Sequence, residues 1–229
     1  LFSNKTRFYS IKKNLLKIRN SRGFSILFFV MLSSSVLAES KIDSLLQAQA
    51  LPSEQAESFG MLVVQDQGGR MKPVNTLASE VLRKVSRQSS FQGLSANQVL
   101  LGMAQNPYLW QLAPMIKVNH EGLRVQLGLK DKYNSFLSFF SDEAKYVLTE
   151  QVEKAYAKKP AERSKYDKEV MAVDERVNVC YMVYNGSYFR FFPLPEDANN
   201  TWFSDSQENV GFQGDDSLFV YSILPIYYQ

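Results

Sequence analysis

Two spacings of apolar residues alternate along this chain. In some stretches they recur every third or fourth position, in others every second position. The first spacing belongs to amphipathic helices and the second to half-buried strands. Met61-Leu62-Val63-Val64 reads as a short apolar strand. Gly68-Gly69 then turns the chain, since glycine reaches positive φ without steric cost. Pro73 keeps Lys72 extended. Leu77, Val81, Leu82 and Val85 form one stripe, which predicts a helix capped by Asn75 or Thr76 and running to about Arg87. A second helix is predicted from Ser95, where Gln98 completes a capping box. It carries Val99, Leu100 and Met103 and ends near Asn106-Pro107.

From Met115 the spacing shortens. Ile116 and Val118 alternate, then Leu123, Val125 and Leu127, with Asn119-His120-Glu121-Gly122 between them. That pattern predicts a β-hairpin over 115–129. Ser141 to Lys158 returns to helix, with Ala144, Val147, Leu148, Val152, Ala155 and Tyr156 on one stripe. Pro160 suits the first turn of the next helix. Its stripe is Tyr166, Val170, Val173, Val177, Cys180 or Tyr181, and Tyr184. By residue type 177–184 resembles a strand before an Asn185-Gly186 hairpin turn. The unbroken three-four period decides for a helix with Gly186 as its C-cap, the two helices forming a hairpin. Tyr188 to Leu194 reads as a strand ending at Pro193, Glu196 to Asp216 as a loop, and Ser217 to Tyr228 as the start of an apolar, aromatic helix behind Asp215 or Asp216. Glu39 to Gln55 is a polar connector, helical or loose. The expected class is α+β: a mainly helical domain with a few short antiparallel strands, without internal repeats.

Charge adds a topology. Lys5, Arg7, Lys12, Lys13, Lys17, Arg19 and Arg22 precede an uncharged run, Gly23 to Ala38, and no acid lies among residues 1–38. The run ends in Val36-Leu37-Ala38, which would suit signal cleavage. A leader of this length without an initiator Met fits better a membrane helix behind a basic cytoplasmic segment, with Arg22 snorkelling to make up the span. The expected layout is therefore a basic cytoplasmic segment over 1–22, a transmembrane helix or signal peptide over 23–38, and an extracytoplasmic domain over 39–229. Leu1 is not a start residue and the chain stops inside an apolar run, so a larger protein is expected. The net charge is +3, from 26 basic and 23 acidic residues. Without the seven basic residues of the leader, 19 basic stand against 23 acidic, a net charge of −4. The basic balance thus reflects topology, and no basic stripe with interleaved aromatics outside the leader points to nucleic acid.

Candidate chemistry is sparse. Cys180 is the single cysteine, and apolar Val179 and Val183 beside it point to a packed core residue. One Cys and one His exclude a zinc set or a Cys-x-x-Cys-His haem attachment within these residues. His120 belongs on an exposed turn, with haem ligation as the functional alternative. Asp66 and Arg70 flank the Gly-Gly turn and can pair across it, as a structural ion pair or as part of a binding site. Arg70 with Lys72 could instead hold a carboxylate, because Arg presents a bidentate fork. The pairs Asp142-Glu143, Asp174-Glu175 and Asp215-Asp216 suit helix starts and solvated faces. No Ser-His-Asp order with a nucleophile elbow is present. Phe136, Phe139, Phe140, Tyr181, Tyr184, Phe189, Phe191 and Phe192 are expected in the core.

The segment Phe59 to Lys84, with its order VQD-x-GGR-x-KP-x-NTLA, resembles the extracytoplasmic part of fused ResB/CcsA-type cytochrome c biogenesis proteins. The resemblance continues through Gly93-Leu94, Gln98 to Met103, Pro107, Trp110, Pro114, Ile116-Lys117-Val118, Asp174 to Asn178 and Phe192-Pro193-Leu194-Pro195. It implies a role in moving haem across the cytoplasmic membrane and attaching it to apocytochrome c, as in a haem exporter and cytochrome c synthetase. The implied partners are apocytochrome c and the membrane-embedded remainder of the same protein. It marks Gln65, Asp66, Gly69, Arg70 and Lys72 as candidate binding residues, and haem as a possible cofactor of the full-length protein. The family's tryptophan-rich segment and the histidines flanking its membrane spans have no match here. Process and location therefore carry over, and no catalytic residue does. An exported binding module without a haem role is the alternative.

Overall fold

In a computed structural model, residues 41–194 and 197–204 are described. Residues 41–48 are helical. From there the order is α1 (Ser53–Gly60), β1 (Val63–Gln65), β2 (Met71–Pro73), α2 (Val74–Ser86), β3 (Ser90–Phe91), β4 (Leu94–Ser95), α3 (Ala96–Gln105) and α4 (Pro107–Trp110). Then follow β5 (Ile116–Lys117), α5 (Glu121–Gln126), β6 (Tyr133–Asn134), a 3-10 turn (Phe136–Phe139), α6 (Thr149–Ala157), a second 3-10 turn (Pro160–Glu162), α7 (Lys165–Tyr184), β7 (Phe192–Pro193) and β8 (Trp202–Phe203). The class is α+β, with the described strands paired antiparallel into two-stranded ribbons, β1–β2, β3–β4, β5–β6 and β7–β8. Among the described residues no helix is long and apolar enough to cross a membrane. The expected membrane segment 23–38 and the aromatic segment 217–228 with Asp215 and Asp216 lie outside the described residues.

The core unit runs from Leu46 onward. Its centre is α2, which packs against α3 and α7. Val74, Leu77, Ala78, Val81, Leu82 and Val85 are buried on one face of α2. They meet Val99, Leu100 and Met103 of α3 and the Val170, Val173, Val177, Cys180 and Val183 stripe of α7. Each such side chain contributes roughly 1.5–3 kcal/mol when fully buried. Helix α7 runs unbroken over Lys165–Tyr184, with a Ser164–Asp167 capping box at its start and Gly186 at φ 78° beyond its end. Cys180, not Tyr181, takes the buried position, and Tyr181 is exposed. The rest of the aromatic core includes Phe189 and Phe191, stacked at 5.9 Å, with Phe59 edge-on to both.

Four expectations need correction. Residues 115–129 are not a hairpin: β5 pairs with β6 at Tyr133–Asn134, and Glu121–Gln126 form α5. Only Leu123 of the expected second strand is buried, while Val125 is exposed, so the alternation had no face to bury. The helix expected from Ser141 starts at Thr149. The Ser141 hydroxyl accepts from the amides of Glu143 and Lys145, and Ala144 sits at φ 59°, so a side-chain-stabilised turn replaces the first helical turns. Helix α2 begins at Val74 behind Pro73 and has no side-chain cap at Asn75 or Thr76. The ribbon feeds the helix directly, as the Val74 amide donates to the Leu62 carbonyl at 2.8 Å. The strand expected over 188–194 is confined to Phe192–Pro193, and its partner, Trp202–Phe203, lies in the expected loop.

Candidate functional site

The turn between β1 and β2 is built around one carboxylate. Asp66 Oδ1 accepts from the Gly68 and Arg70 amides, each at 2.9 Å. Oδ2 faces the Lys72 ammonium at 2.8 Å and the Arg70 Nε at 3.4 Å. The Asp66 amide donates to the Arg70 carbonyl at 2.8 Å, and the Gly69 amide to the Asp66 carbonyl at 3.0 Å. Gly69 holds φ 81°, the conformation a side chain resists. The Lys72 hydrogen bond, then the Arg70 and Gly68 amides, hold the Asp66 carboxyl well below the usual carboxylate range, against a burial contribution of opposite sign.

The two cations of the motif have different roles. Lys72, its side chain 12% exposed, lies between Asp66 and Glu80 of α2, each at 2.8 Å. It locks the turn to the helix. Arg70 pairs with Asp66 as its position implies, but its side chain is 81% exposed and the contact is loose. A pair of that kind adds little stability. The guanidinium is therefore presented to solvent.

Gln65 is 3% exposed and ties three segments together. Its amide donates to the Arg190 carbonyl at 3.0 Å. Its side-chain Nε2 donates to the Gly69 and Asn200 carbonyls at 3.2 and 2.8 Å, and its Oε1 accepts from the Trp202 amide at 2.8 Å. Arg190 then reaches back, donating from Nη2 to Gln67 Oε1 at 2.7 Å. Gln65, Asp66, Gly69, Arg70 and Lys72 thus stand in one turn, and folding adds Arg190 and Trp202 to them. Sequence spacing carried no signal for either, since both are more than a hundred positions away.

His120 lies apart from this turn, as the residue preceding α5. It is half-buried rather than on an exposed turn. Its ring meets Tyr166 edge to face at 5.3 Å, and Nδ1 is buried without a hydrogen-bond partner among the described residues. The cleft beside Tyr166, of about 340 Å³, is walled by Glu150, Lys154, Lys158 and Asp167 among others. Nearby, Arg176 is a buried arginine of α7, 2% exposed. It donates to the Lys117 carbonyl and pairs with Glu169 at 3.2 Å, while Glu169 accepts from the Asn119 amide at 2.7 Å. Arg176 therefore braces the segment that leads to His120. The acidic pairs within the described residues are structural or solvated: Asp174 accepts from the Tyr146 hydroxyl, Glu175 pairs with Lys84, and Glu143 pairs with Lys145 on the surface.

No family model matches the chain. The chain is similar to Protein NrfI of Wolinella succinogenes, 38% identical over 189 residues, a match that covers 81% of this chain and 21% of that protein. The chain therefore spans about one fifth of the length of the curated relative it matches. The match fits the cytochrome c biogenesis family that the Phe59–Lys84 motif resembles.

Proposed function

We propose that this chain is the extracytoplasmic portion of a membrane protein for cytochrome c maturation, of the ResB/CcsA type, and that it assists the attachment of haem by positioning apocytochrome c. The observation that carries this reading is the 38% identity to Protein NrfI, sustained over 189 residues rather than confined to one motif. The geometry supports positioning over chemistry of its own. Four of the five turn residues are spent on holding the turn, and the fifth, Arg70, is held out toward solvent. Residues 39–229 lie outside the cytoplasmic membrane, behind the seven basic residues of the leader.

The test is genetic. Deleting the gene should abolish covalently bound haem c, seen by haem staining of membrane and soluble fractions, and the complete gene should restore it. Unchanged staining in the deletion strain would overturn the reading and favour an exported binding module. A reporter active only in the cytoplasm, fused after Gln229, should give no signal; a strong signal would refute the topology.

A further inference from the structure

Three separate stretches of the chain carry no Asp, Glu, Lys, Arg or His: residues 46–53, 88–116 and 133–141. Charged residues make up 21% of the sequence, so a run as long as 88–116 without one is a departure from the rest of the chain. Burial explains part of it, since Val99, Leu100 and Met103 of α3 lie in the core. It does not explain the rest. Gln47, Ser90, Gln92, Gln105, Tyr108 and Leu112 are exposed, and exposed positions ordinarily mix in charges of both signs. Folding joins the three stretches. Gln47 Nε2 donates to the Gln92 carbonyl at 3.0 Å, Asn106 Nδ2 to Gln49 Oε1 at 2.7 Å, and Gln98 Nε2 to the Leu51 carbonyl at 2.8 Å. The Leu137 amide donates to the Gln111 carbonyl at 3.3 Å. Apolar side chains stand open at this junction: Tyr108 is 83% exposed, and Leu112 and Leu137 are nearly half-exposed. Tyr108 and Leu112 are spaced i, i+4 across α4 and the turn after it, which puts them on one face.

The course of the chain names the occupant. Gln49 is bonded to Asn106, the residue that caps α4, and only residues 39–48 separate it from the uncharged apolar run 23–38. With 41–48 helical, that connection reaches at most about 25 Å. We propose that this uncharged side, with Tyr108, Leu112 and Leu137, rests on the surface of the lipid bilayer that holds the leader. The inference rests on the reading of 23–38 as a membrane anchor and adds a second contact between the protein and lipid. A tyrosine ring with one polar tip suits the headgroup level, where one end is apolar and the other wet. The absence of charge lowers the desolvation cost of the approach. It also sets the lipid preference: a polybasic patch would select anionic lipid, whereas this side needs none.

The test uses the full chain in nanodiscs of phosphatidylcholine, with and without a doxyl group near the top of the acyl chain. Cys180 is buried, so a bimane label can be directed to cysteines introduced one at a time. The positions are Leu112→Cys, Leu137→Cys, Lys154→Cys on α6, and Ser34→Cys in the leader. Emission from labels at 112 and 137 should fall by about half in doxyl lipid, since an interfacial face lies roughly 5–10 Å into the boundary between headgroups and acyl chains. Emission from the label at 154 should be unchanged, and adding phosphatidylglycerol should make no difference. Tyr108→Glu with Leu112→Glu should relieve the quenching at 137 while leaving the melting temperature unchanged. Quenching at 34 without quenching at 112 and 137 would overturn the proposal and leave the anchor standing, the uncharged side then belonging to a protein partner. An unquenched label at 34 would overturn both. Equal quenching at 112 and 154, quenching that requires phosphatidylglycerol, or quenching at 137 that survives the two glutamates would each overturn the proposal.

Discussion

Replacing Asp66 with Ala tests which residue holds the turn. The substitution strips the acceptor from two amides at 2.9 Å and from the Lys72 ammonium at 2.8 Å. Hydrogen bonds to a charged group contribute roughly 1.5–3 kcal/mol each. Two terms offset the loss. Gly68 and Arg70 are exposed, so water can reach their amides, and Lys72 keeps Glu80. The expected destabilisation is about 2–3 kcal/mol, close to one strong bond of the three. Arg70→Ala removes only a loose contact from an exposed side chain and should cost less than about 0.5 kcal/mol. Urea unfolding of the full chain, followed by tryptophan fluorescence, should show the Asp66→Ala midpoint lowered by about 1 M and the Arg70→Ala midpoint almost unmoved. The Asp66 effect also has a definite pH dependence. Its folded pKa lies below the unfolded value of about 3.9, so the stabilisation is complete above that value and is lost as pH falls through the folded pKa. The gap between wild type and Asp66→Ala should therefore close in acid. A larger effect from Arg70→Ala than from Asp66→Ala, or a gap that widens in acid, would refute this account of the turn.

Three further substitutions or modifications probe the rest of the fold. Gly102→Ala would ordinarily favour a helix, but a Cβ there would lie 2.6 Å from Trp110 Nε1. It should destabilise by about 1–3 kcal/mol through overpacking, and a rise in melting temperature would contradict the packing of α3 on Trp110. Arg176→Ala should cost about 3–5 kcal/mol, since it leaves Glu169 without its buried partner; a chemical-denaturation midpoint within error of wild type would count against the brace. Burial pushes the Cys180 thiol well above its ordinary range. It should resist a thiol reagent in the folded chain and react fully after unfolding in guanidinium, and fast labelling of the native protein would show that α7 does not bury it.

Much of the helical frame was legible because its signals are local. The three-four stripe of α7 extends over five turns, so no strand could bury it, and the Ser95–Gln98 box marks its own position. The Gly69 turn and the Asp66–Arg70 contact were also legible, since both form within a few residues. The short elements were not. Leu123, Val125 and Leu127 alternate like a strand, yet a single helical turn buries Leu123 alone, and so short a run cannot separate the two periods. The Ser141 turn won over a helix through side-chain bonds that an apolar stripe does not register. The site divides in the same way. Its motif half stood in the sequence, but the commitment of Lys72 to Glu80 and the arrival of Arg190 and Trp202 at Gln65 are tertiary facts. Of the two roles the sequence leaves open for Arg70, they make the structural one small, because Lys72 takes the closer place at Asp66.

The most direct measurement is the yield of covalently bound haem c per unit of this protein in cells that carry Arg70→Ala. Haem staining, divided by the immunoblot signal of the protein itself, separates function from folding. The account predicts an unchanged protein level with a clear fall in normalised haem c yield, because an exposed guanidinium on a rigid turn serves a partner and not the fold. A normalised yield equal to wild type, or a loss of haem c that merely follows a loss of protein, would contradict it.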